Sequence, residues 1–207
     1  MQNDNEKFKI IYAKDLGVSQ EVTLVREKES LRWLLVFAEN IPHEVGMRIR
    51  LTGRGSRAEV MIAYCGRQRD ETSMDITFVH DAQDTYGRVI VKAALFDESR
   101  FVLKGMLEIT PRAKGADSYL LAKGILVSPQ ARAEIHPHLE IQTDEVKASH
   151  GSSVGRIDQK QLFYLQSRGV PRDEAEKIVL SGFFRDVTKD IPARYAAKFF
   201  QTIKEEI

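Results

Sequence analysis

The feature that most constrains the fold is a two-residue alternation of apolar and polar side chains between about residues 21 and 147, clearest in Met47–Thr52. Such alternation marks strands with one buried face. Predicted strands begin near residues 47, 58, 74, 88, 101, 119, 133 and 145. Because no strand is followed by a long helical stripe, the pattern excludes a doubly wound sheet with crossover helices.

The regular spacing of these short strands is typical of a solenoid, a barrel or a sandwich. Asn-Gly and Asp-Gly pairs, which mark tight hairpins, are absent from the sequence. Several connections are also too long for two-residue hairpins. The pattern therefore favours a stacked parallel solenoid and leaves a β-sandwich open as the alternative.

After Gly155 the apolar spacing changes to that of helices. Asp158 is predicted to cap a first helix, with Gln161 in the capping-box position, and Gly169 to end it. The predicted apolar face of this helix is Leu162, Phe163 and Leu165.

Two further helices are predicted towards the C-terminus. Pro171 lies in the first turn of the second helix, which should end near Gly182 and Phe183. Its apolar stripe is Ala175, Ile178 and Val179, and the third helix has Asp190, Pro192, Tyr195, Phe199 and Ile203. We therefore divide the chain into an N-terminal segment (1–20), a β body (21–155) and a helical domain (156–207).

Charge and cysteine content limit the functions open to the chain. Lys and Arg number 31 against 30 Asp and Glu, a net charge of +1, which argues against bulk capture of nucleic acid or anionic membrane. The single cysteine, Cys65, excludes an intrachain disulfide and is predicted to be buried. The apolar runs are far shorter than the roughly 20 residues of a membrane span, and the polar N-terminus is unlike a secretory signal. We expect a cytoplasmic protein.

Histidines are the residues most able to carry metal chemistry in this sequence. His136 and His138 flank Pro137 and would face the same side of an extended segment, where they either share a metal or lie in a polar loop. His80 is predicted to be a surface or turn residue. His150 lies among small residues between the last predicted strand and the first helix.

A run of arginines between Arg48 and Arg69 is the other charged feature of the β body. The simplest interpretation is a solvated outer face of a sheet, and the alternative is a surface for an acidic partner or a phosphate. The arginines are Arg48, Arg50, Arg54, Arg57, Arg67 and Arg69.

Common catalytic motifs are missing. The chain has no phosphate-cradling glycine loop, no dinucleotide fingerprint and no nucleophile elbow, so we expect that it is not an enzyme. Carbohydrate-active solenoids need paired carboxylates in a groove, and no such pair can be placed from this sequence.

Two segments carry a family resemblance. Residues 139–155 read LEIQTDEVKASHGSSVG, and residues 162–171 read LFYLQSRGVP. Both are similar to the C-terminal signature of the SufB/SufD family, the non-ATPase scaffold subunits of the Suf iron–sulfur cluster assembly machinery, with the Ser-His-Gly run closer to SufD. Weaker similarity covers residues 51–59 and 101–105. The chain resembles a short form without most of the family's N-terminal region.

The resemblance implies a fold and a set of partners. The fold would be a right-handed parallel β-helix followed by a small helical domain, whose helices dock a SufC-like ABC ATPase. Two scaffolds would pair through their β-helices, as a homodimer or as a heterodimer with another SufB/SufD-like subunit.

The resemblance also implies site residues. His150 is the matched residue able to bind iron, at a transient assembly site near the subunit interface. Partner-binding candidates are Phe163, Tyr164, Arg168 and Gly169. The cysteine that often precedes Ser-His-Gly in the family is Ala148 here. We therefore expect no stably bound cofactor, only a transient iron–sulfur cluster, and a cluster-free adaptor of the same ATPase system is the alternative.

Overall fold

The computed structural model describes residues 6–13, 19–24, 26–189, 197 and 199–201. Eleven strands precede two helices in this part of the chain. They are β1 (Glu6–Tyr12), β2 (Ser19–Leu24), β3 (Ser30–Phe37), β4 (Glu44–Leu51), β5 (Arg57–Gly66), β6 (Glu71–His80), β7 (Tyr86–Leu95), β8 (Arg100–Ile109), β9 (Asp117–Leu126), β10 (Arg132–Ile141), β11 (Lys147–Arg156), α1 (Gln159–Ser167) and α2 (Arg172–Thr188).

Successive strands alternate between two parallel sheets. The odd-numbered strands form one sheet in the order β1-β3-β5-β7-β9-β11, and the even-numbered strands form the other, β2 to β10. Every pairing is parallel and skips one strand, which confirms the solenoid and excludes the sandwich. Strands β4 to β11 begin within three residues of the predicted starts. Strand β1 lies in the segment that was expected to precede the β body, and pairs with β3.

Stacked rows of apolar side chains fill the space between the two sheets. In the odd-numbered sheet Val60, Val89 and Leu120 are register partners, and all three are buried. Rows of this kind are the alternating residues that the sequence pattern placed on the buried face. Burying one such side chain stabilises the fold by roughly 1.5–3 kcal/mol, so each added turn contributes to the same continuous core.

One corner of the solenoid repeats the same backbone turn in successive coils. Gly55, Asp84 and Gly115 all have positive φ angles, and each donates its N–H to a carbonyl of the following coil. Glycine adopts this conformation without steric penalty. At Gly115 a side chain would also collide with the corner itself, because an added Cβ would lie 2.6 Å from Asp84 Oδ1.

Most of the arginine cluster lies on the outer surface, paired with carboxylates of other coils. The ion pairs are Arg48 with Glu108, Arg50 with Asp81, Arg54 with Asp84 and Arg69 with Glu98. Asp81 is the most enclosed of these carboxylates and also contacts Arg112 at 2.7 Å. Burial alone would raise the pKa of Asp81, but hydrogen bonds from Arg50, Arg112 and Thr110 outweigh it and hold that pKa below its ordinary value. The cluster thus ties neighbouring coils together.

The prediction for His80 was wrong, because this side chain is fully buried inside the solenoid. Its Nδ1 lies 2.9 Å from Thr85 Oγ1 and its Nε2 lies 3.0 Å from Ser118 Oγ. Alternation marked His80 only as the end of a strand. Its ring is enclosed because Ser118, from the next coil, closes over it.

Acid should destabilise the protein through His80. Burial lowers the pKa of His80 to about 4 from 6.5. The unfolded chain therefore binds this proton more readily than the folded one, so the stabilising contribution is complete above pH 6.5 and is lost as the pH falls towards 4. Between pH 7 and pH 4.5 we expect the free energy of unfolding to fall by about 2 kcal/mol from this residue alone.

Urea denaturation at the two pH values measures this effect. The His80→Asn variant should lose the His80 part of the pH dependence, whereas His43→Asn, which changes an exposed histidine, should keep it. An unchanged pH dependence in His80→Asn would contradict the prediction.

Helix α1 begins and ends as predicted. The Asp158 carboxylate accepts a hydrogen bond from the Lys160 backbone N–H at 2.8 Å, and Gly169, with φ +86°, follows the last turn. The predicted apolar face was wrong at one position, since Phe163 is 72% exposed. Leu162 is the buried residue of this helix because only its side of α1 meets Ile157 and Ala175.

Helix α2 begins one residue later and ends later than predicted. Pro171 immediately precedes the helix as its N-cap, and α2 continues through Gly182 and Phe183 to Thr188. The extra turns persist because Leu180, Phe184 and Val187 are buried against the outer face of the odd-numbered sheet. Of the predicted stripe, Ala175 is buried, Val179 is half-buried and Ile178 is exposed.

Cys65 and Lys92 lie under α2 on this outer face. Burial of Cys65 is confirmed. Lys92 is almost enclosed, with its Nζ 2.6 Å from Asp186 Oδ2 and 4.7 Å from the centre of the Phe183 ring. The hydrogen bond from Lys92 lowers the pKa of Asp186. The helix is therefore attached to the sheet by an ion pair as well as by apolar contacts.

Only part of the predicted third helix can be compared. Phe199 is buried, with its ring centre 5.7 Å from that of Phe184. Asp190, Pro192, Tyr195 and Ile203 lie outside the described residues. No helix in the described part of the chain is long and apolar enough to cross a membrane.

Candidate functional site

The solenoid ends on an uncovered coil. Strand β10 pairs only with β8, and β11 only with β9, among the residues that the structure describes. The inward rows nevertheless continue into this coil: Leu139 is the register partner of Leu107, and Val154 that of Gly124. In earlier coils such residues are covered by the next strand. Here Leu139, Ile141 and Val154 are exposed at the end of the core.

His150 belongs to this uncovered inner row. It lies within β11 and not, as the sequence suggested, in a junction between the last strand and the first helix. Its register partner is Leu120, a buried core residue, so the imidazole occupies an inward position of the solenoid. Because no described strand follows β11 in this sheet, the side chain of His150 is exposed. Imidazole is a common metal ligand, and at this position the ring faces solvent.

The structure does not gather further ligands around His150. Across the described ranges, no three His, Cys, Asp or Glu side chains are close enough to hold one metal ion. Cys65 lies on β5, two strands before β9 in the same sheet, and packs under α2. Ala148, where the resembling family often has cysteine, packs against Ile109, Ala113 and Ala116. Among the described residues, the inner row of this end coil therefore offers one imidazole, and any cluster there would need ligands from elsewhere.

The free edges of β10 and β11 differ in chemistry. Residues 148–155 of β11 contain no Asp, Glu, Lys or Arg, and Lys147 and Arg156 lie at the ends of the strand. β10 contains Pro137, which lacks a backbone donor, and two glutamates. Charge and proline are the usual protection of exposed strand edges. β11 is therefore the edge better suited to pair with another strand.

A groove of about 800 Å³ lies between α1, α2 and the end of the solenoid. Its lining is mainly apolar and includes Ile125, Tyr164 and Phe183, with Arg156 and Lys160 as charged members. Tyr164 is 58% exposed, and the Arg168 guanidinium lies 5.3 Å from the centre of its ring. Exposed aromatic and arginine side chains are typical of protein interfaces.

The predicted partner-binding residues thus lie together on or just after α1. Tyr164 and Arg168 are in contact. Phe163 and Gly169 are exposed next to them, outside the groove. Sequence reasoning missed the contribution of Ile125, Ile178 and Phe183 to the groove. The apolar stripe of α2 contained Ile178, but only the packing of α2 on the sheet decides which of its sides remains uncovered.

Strand β11 connects the uncovered coil to the groove. His150 lies in it, and Arg156, six residues later, lines the groove. At about 3.3 Å per residue the two positions are roughly 20 Å apart along one strand. A protein bound in the groove would therefore contact the strand that carries His150.

Comparison with known proteins gives one consistent result. The family described as SUF system FeS cluster assembly, SufBD core domain, matches residues 15–183. An iron–sulfur cluster assembly SufBD family protein of Staphylococcus saprophyticus is 26% identical over 89% of this chain and 40% of its own length. A SufBD family protein of Mycobacterium tuberculosis is 28% identical over 80% of this chain and 20% of its own.

A third relative is the iron–sulfur cluster assembly protein SufD of Bacillus subtilis, 29% identical over 75% of this chain and 36% of its own length. The chain therefore spans two fifths or less of these three relatives. The family match covers the solenoid from before β2 to within α2, including His150 and the groove. The chain belongs to the SufBD family of iron–sulfur cluster assembly proteins.

Proposed function

We propose that this chain is a scaffold subunit for iron–sulfur cluster assembly. The helices α1 and α2 dock a SufC-like ABC ATPase, and a transient assembly site forms near His150 where a second subunit covers the open coil. The single observation that carries the proposal is the position of His150, an exposed imidazole in the inner row of the uncovered end. Family membership supplies the cargo, an iron–sulfur cluster.

A second subunit would supply the ligands that the inner row of the end coil lacks. Iron–sulfur clusters are usually held by several protein ligands, and among the described residues the inner row of β11 supplies only His150. A partner strand added to β11 would bury Val154 and bring a second set of side chains against His150. The partner is a second copy of this chain or a related SufB/SufD-like subunit.

The groove supports the docking part of the proposal. Tyr164 and Arg168 form an exposed pair at the groove. Burial of the apolar lining by a partner would favour binding, because it removes apolar surface from water. Since β11 runs from the groove to His150, movement of a docked ATPase would reach the assembly site through one strand. ATP-driven motion would then open or close access to His150.

Co-purification tests the docking surface. The full chain is co-expressed with the SufC-like ATPase of the same genome and the mixture is separated by size exclusion. We expect a stable complex that Tyr164→Ala weakens by about tenfold or more, in line with an interface hot spot. The matched control is Ile141→Asp at the uncovered coil. This variant should still bind the ATPase but should no longer pair with a second subunit.

Two results would contradict the docking proposal. One is a folded, active ATPase that forms no complex with the wild-type chain. The other is a complex that persists after truncation at Gly155, because that truncation removes both described helices.

Iron and sulfide analysis after anaerobic reconstitution tests the assembly site. We expect iron binding by the paired subunits to be lost in His150→Ala and retained in Ser152→Ala, which changes the next residue of the same inner row. Equal iron content in the two variants would overturn the assignment of His150. A complex with the ATPase but no iron in the wild-type protein would instead favour the cluster-free adaptor, which Ala148 supports.

A further inference from the structure

We propose that the outer face of β10 carries a site for a borderline divalent transition metal, with His136 and His138 as its two imidazole ligands. This site is separate from His150 and does not depend on the proposed function. The sequence left two interpretations of the His-Pro-His segment, a shared metal or a polar loop. The polar loop is wrong, because His136, Pro137 and His138 all lie inside strand β10.

Strand register places both histidines on the outer face. Pro137 pairs with Gly105, a buried position of the inner row, so its two neighbours point away from the core. Both histidine side chains are exposed. Among the described strands β10 is also an edge strand, so no described strand covers the side away from β8.

The spacing allows one metal ion to bind both rings. Residues two apart on a strand have Cα atoms about 6.6 Å apart. Imidazole nitrogens bind zinc at about 2.0–2.1 Å, so two rings that lean towards each other reach a common ion.

Further donors lie beside the pair. Glu134, two residues earlier on the same face, has its Oε2 3.4 Å from His136 Nε2. Met106 is the register partner of His138 on β8 and is half-buried on the outer face. Two imidazoles with a carboxylate and a thioether suit Zn²⁺, Ni²⁺ or Cu²⁺, whereas Mg²⁺ and Ca²⁺ prefer oxygen ligands alone.

The site is an open two-histidine chelate and not a closed cage. In the part of the chain that is described, no three His, Cys, Asp or Glu side chains already meet at one point. Glu134 would have to turn towards the ion, and water would complete the coordination. Lys104 is the register partner of His136, and its positive charge opposes metal binding. Its exposed, flexible stem lets the ammonium group move into solvent.

Calorimetric titration of the untagged full chain with NiCl₂ and ZnCl₂ tests the proposal. We expect one ion per chain, with affinity reduced about tenfold or more by His136→Ala and by His138→Ala, since each removes one of two principal ligands. Lys104→Gln should tighten binding by removing the opposing charge. His43→Ala, which changes an exposed histidine outside β10, is the matched control and should leave the affinity unchanged. Circular dichroism of each variant verifies that the fold is intact.

A second measurement identifies the donors directly. The electron paramagnetic resonance spectrum of the Cu²⁺-loaded chain should show two coordinated nitrogens, and one fewer in either single variant. The proposal is overturned if the wild-type chain binds no ion stoichiometrically, if neither His136→Ala nor His138→Ala weakens binding, or if the loss follows His43→Ala instead.

Discussion

Replacement of Phe184 by alanine is expected to lower the free energy of unfolding by about 3–5 kcal/mol, the range for truncating a buried phenylalanine. Phe184 is fully buried between α2 and the outer face of the odd-numbered sheet. Its ring meets Phe183 and Phe199 edge-on, with ring centres 5.2 Å and 5.7 Å away. The cavity left by alanine would weaken the attachment of the helices to the solenoid.

Urea denaturation followed by far-ultraviolet circular dichroism measures this loss. Phe163→Ala is the matched control, because it removes the same atoms from a side chain that is 72% exposed. That variant should change the free energy of unfolding by no more than about 0.5 kcal/mol. Similar losses in the two variants would mean that α2 does not pack on the sheet through Phe184.

Replacement of Asp186 by alanine is expected to lower the free energy of unfolding by about 3 kcal/mol. It leaves the Lys92 ammonium group, only 4% exposed, without its carboxylate partner. The expected loss is at the low end for broken buried ion pairs because the Asp186 side chain is itself 47% exposed, so water can reach this edge of the site. Phe183 still faces the ammonium group but cannot replace a carboxylate.

The Lys92→Met variant separates the effect of the buried Lys92 charge from the effect of side-chain packing. Methionine fills a similar volume without a charge, and Asp186 can then be solvated, so this change should stay within about 1 kcal/mol of the wild type. The double variant should recover most of the stability lost in Asp186→Ala. If the double variant is as unstable as Asp186→Ala, an uncompensated charge on Lys92 is not the cause. Urea denaturation at pH 7 of all four proteins gives the comparison.

Local sequence patterns were sufficient to predict the structure where it depends on residues that are close together in the sequence. The alternation in Met47–Thr52 predicted a strand with one buried face, and β4 is such a strand. Asp158 caps α1, and Gly169 follows its end, because capping depends on residues only a few positions apart. The segment 139–155 indicated the family, which the match over residues 15–183 shows.

The same patterns were insufficient to predict burial where a residue's neighbours come from another coil. His80 looked like a surface residue, because its partner Ser118 lies 38 positions later. Phe163 looked like a core residue because helical spacing cannot tell which side of α1 will be covered. Helix α2 passes Gly182 because burial of Phe184 and Val187 on the sheet outweighs the weak helix propensity of one glycine.

For the candidate site, the sequence by itself determined which residue types are present: the Ser-His-Gly run with His150, the aromatic pair Phe163 and Tyr164, and one cysteine. Only the tertiary structure decided that His150 stands in the inner row of an uncovered coil and that Tyr164 and Arg168 stack beside a groove. The physical reason is that strand register and helix packing depend on the stacking of whole coils. Such contacts join residues tens of positions apart, and the local hydrophobic periodicity does not indicate them.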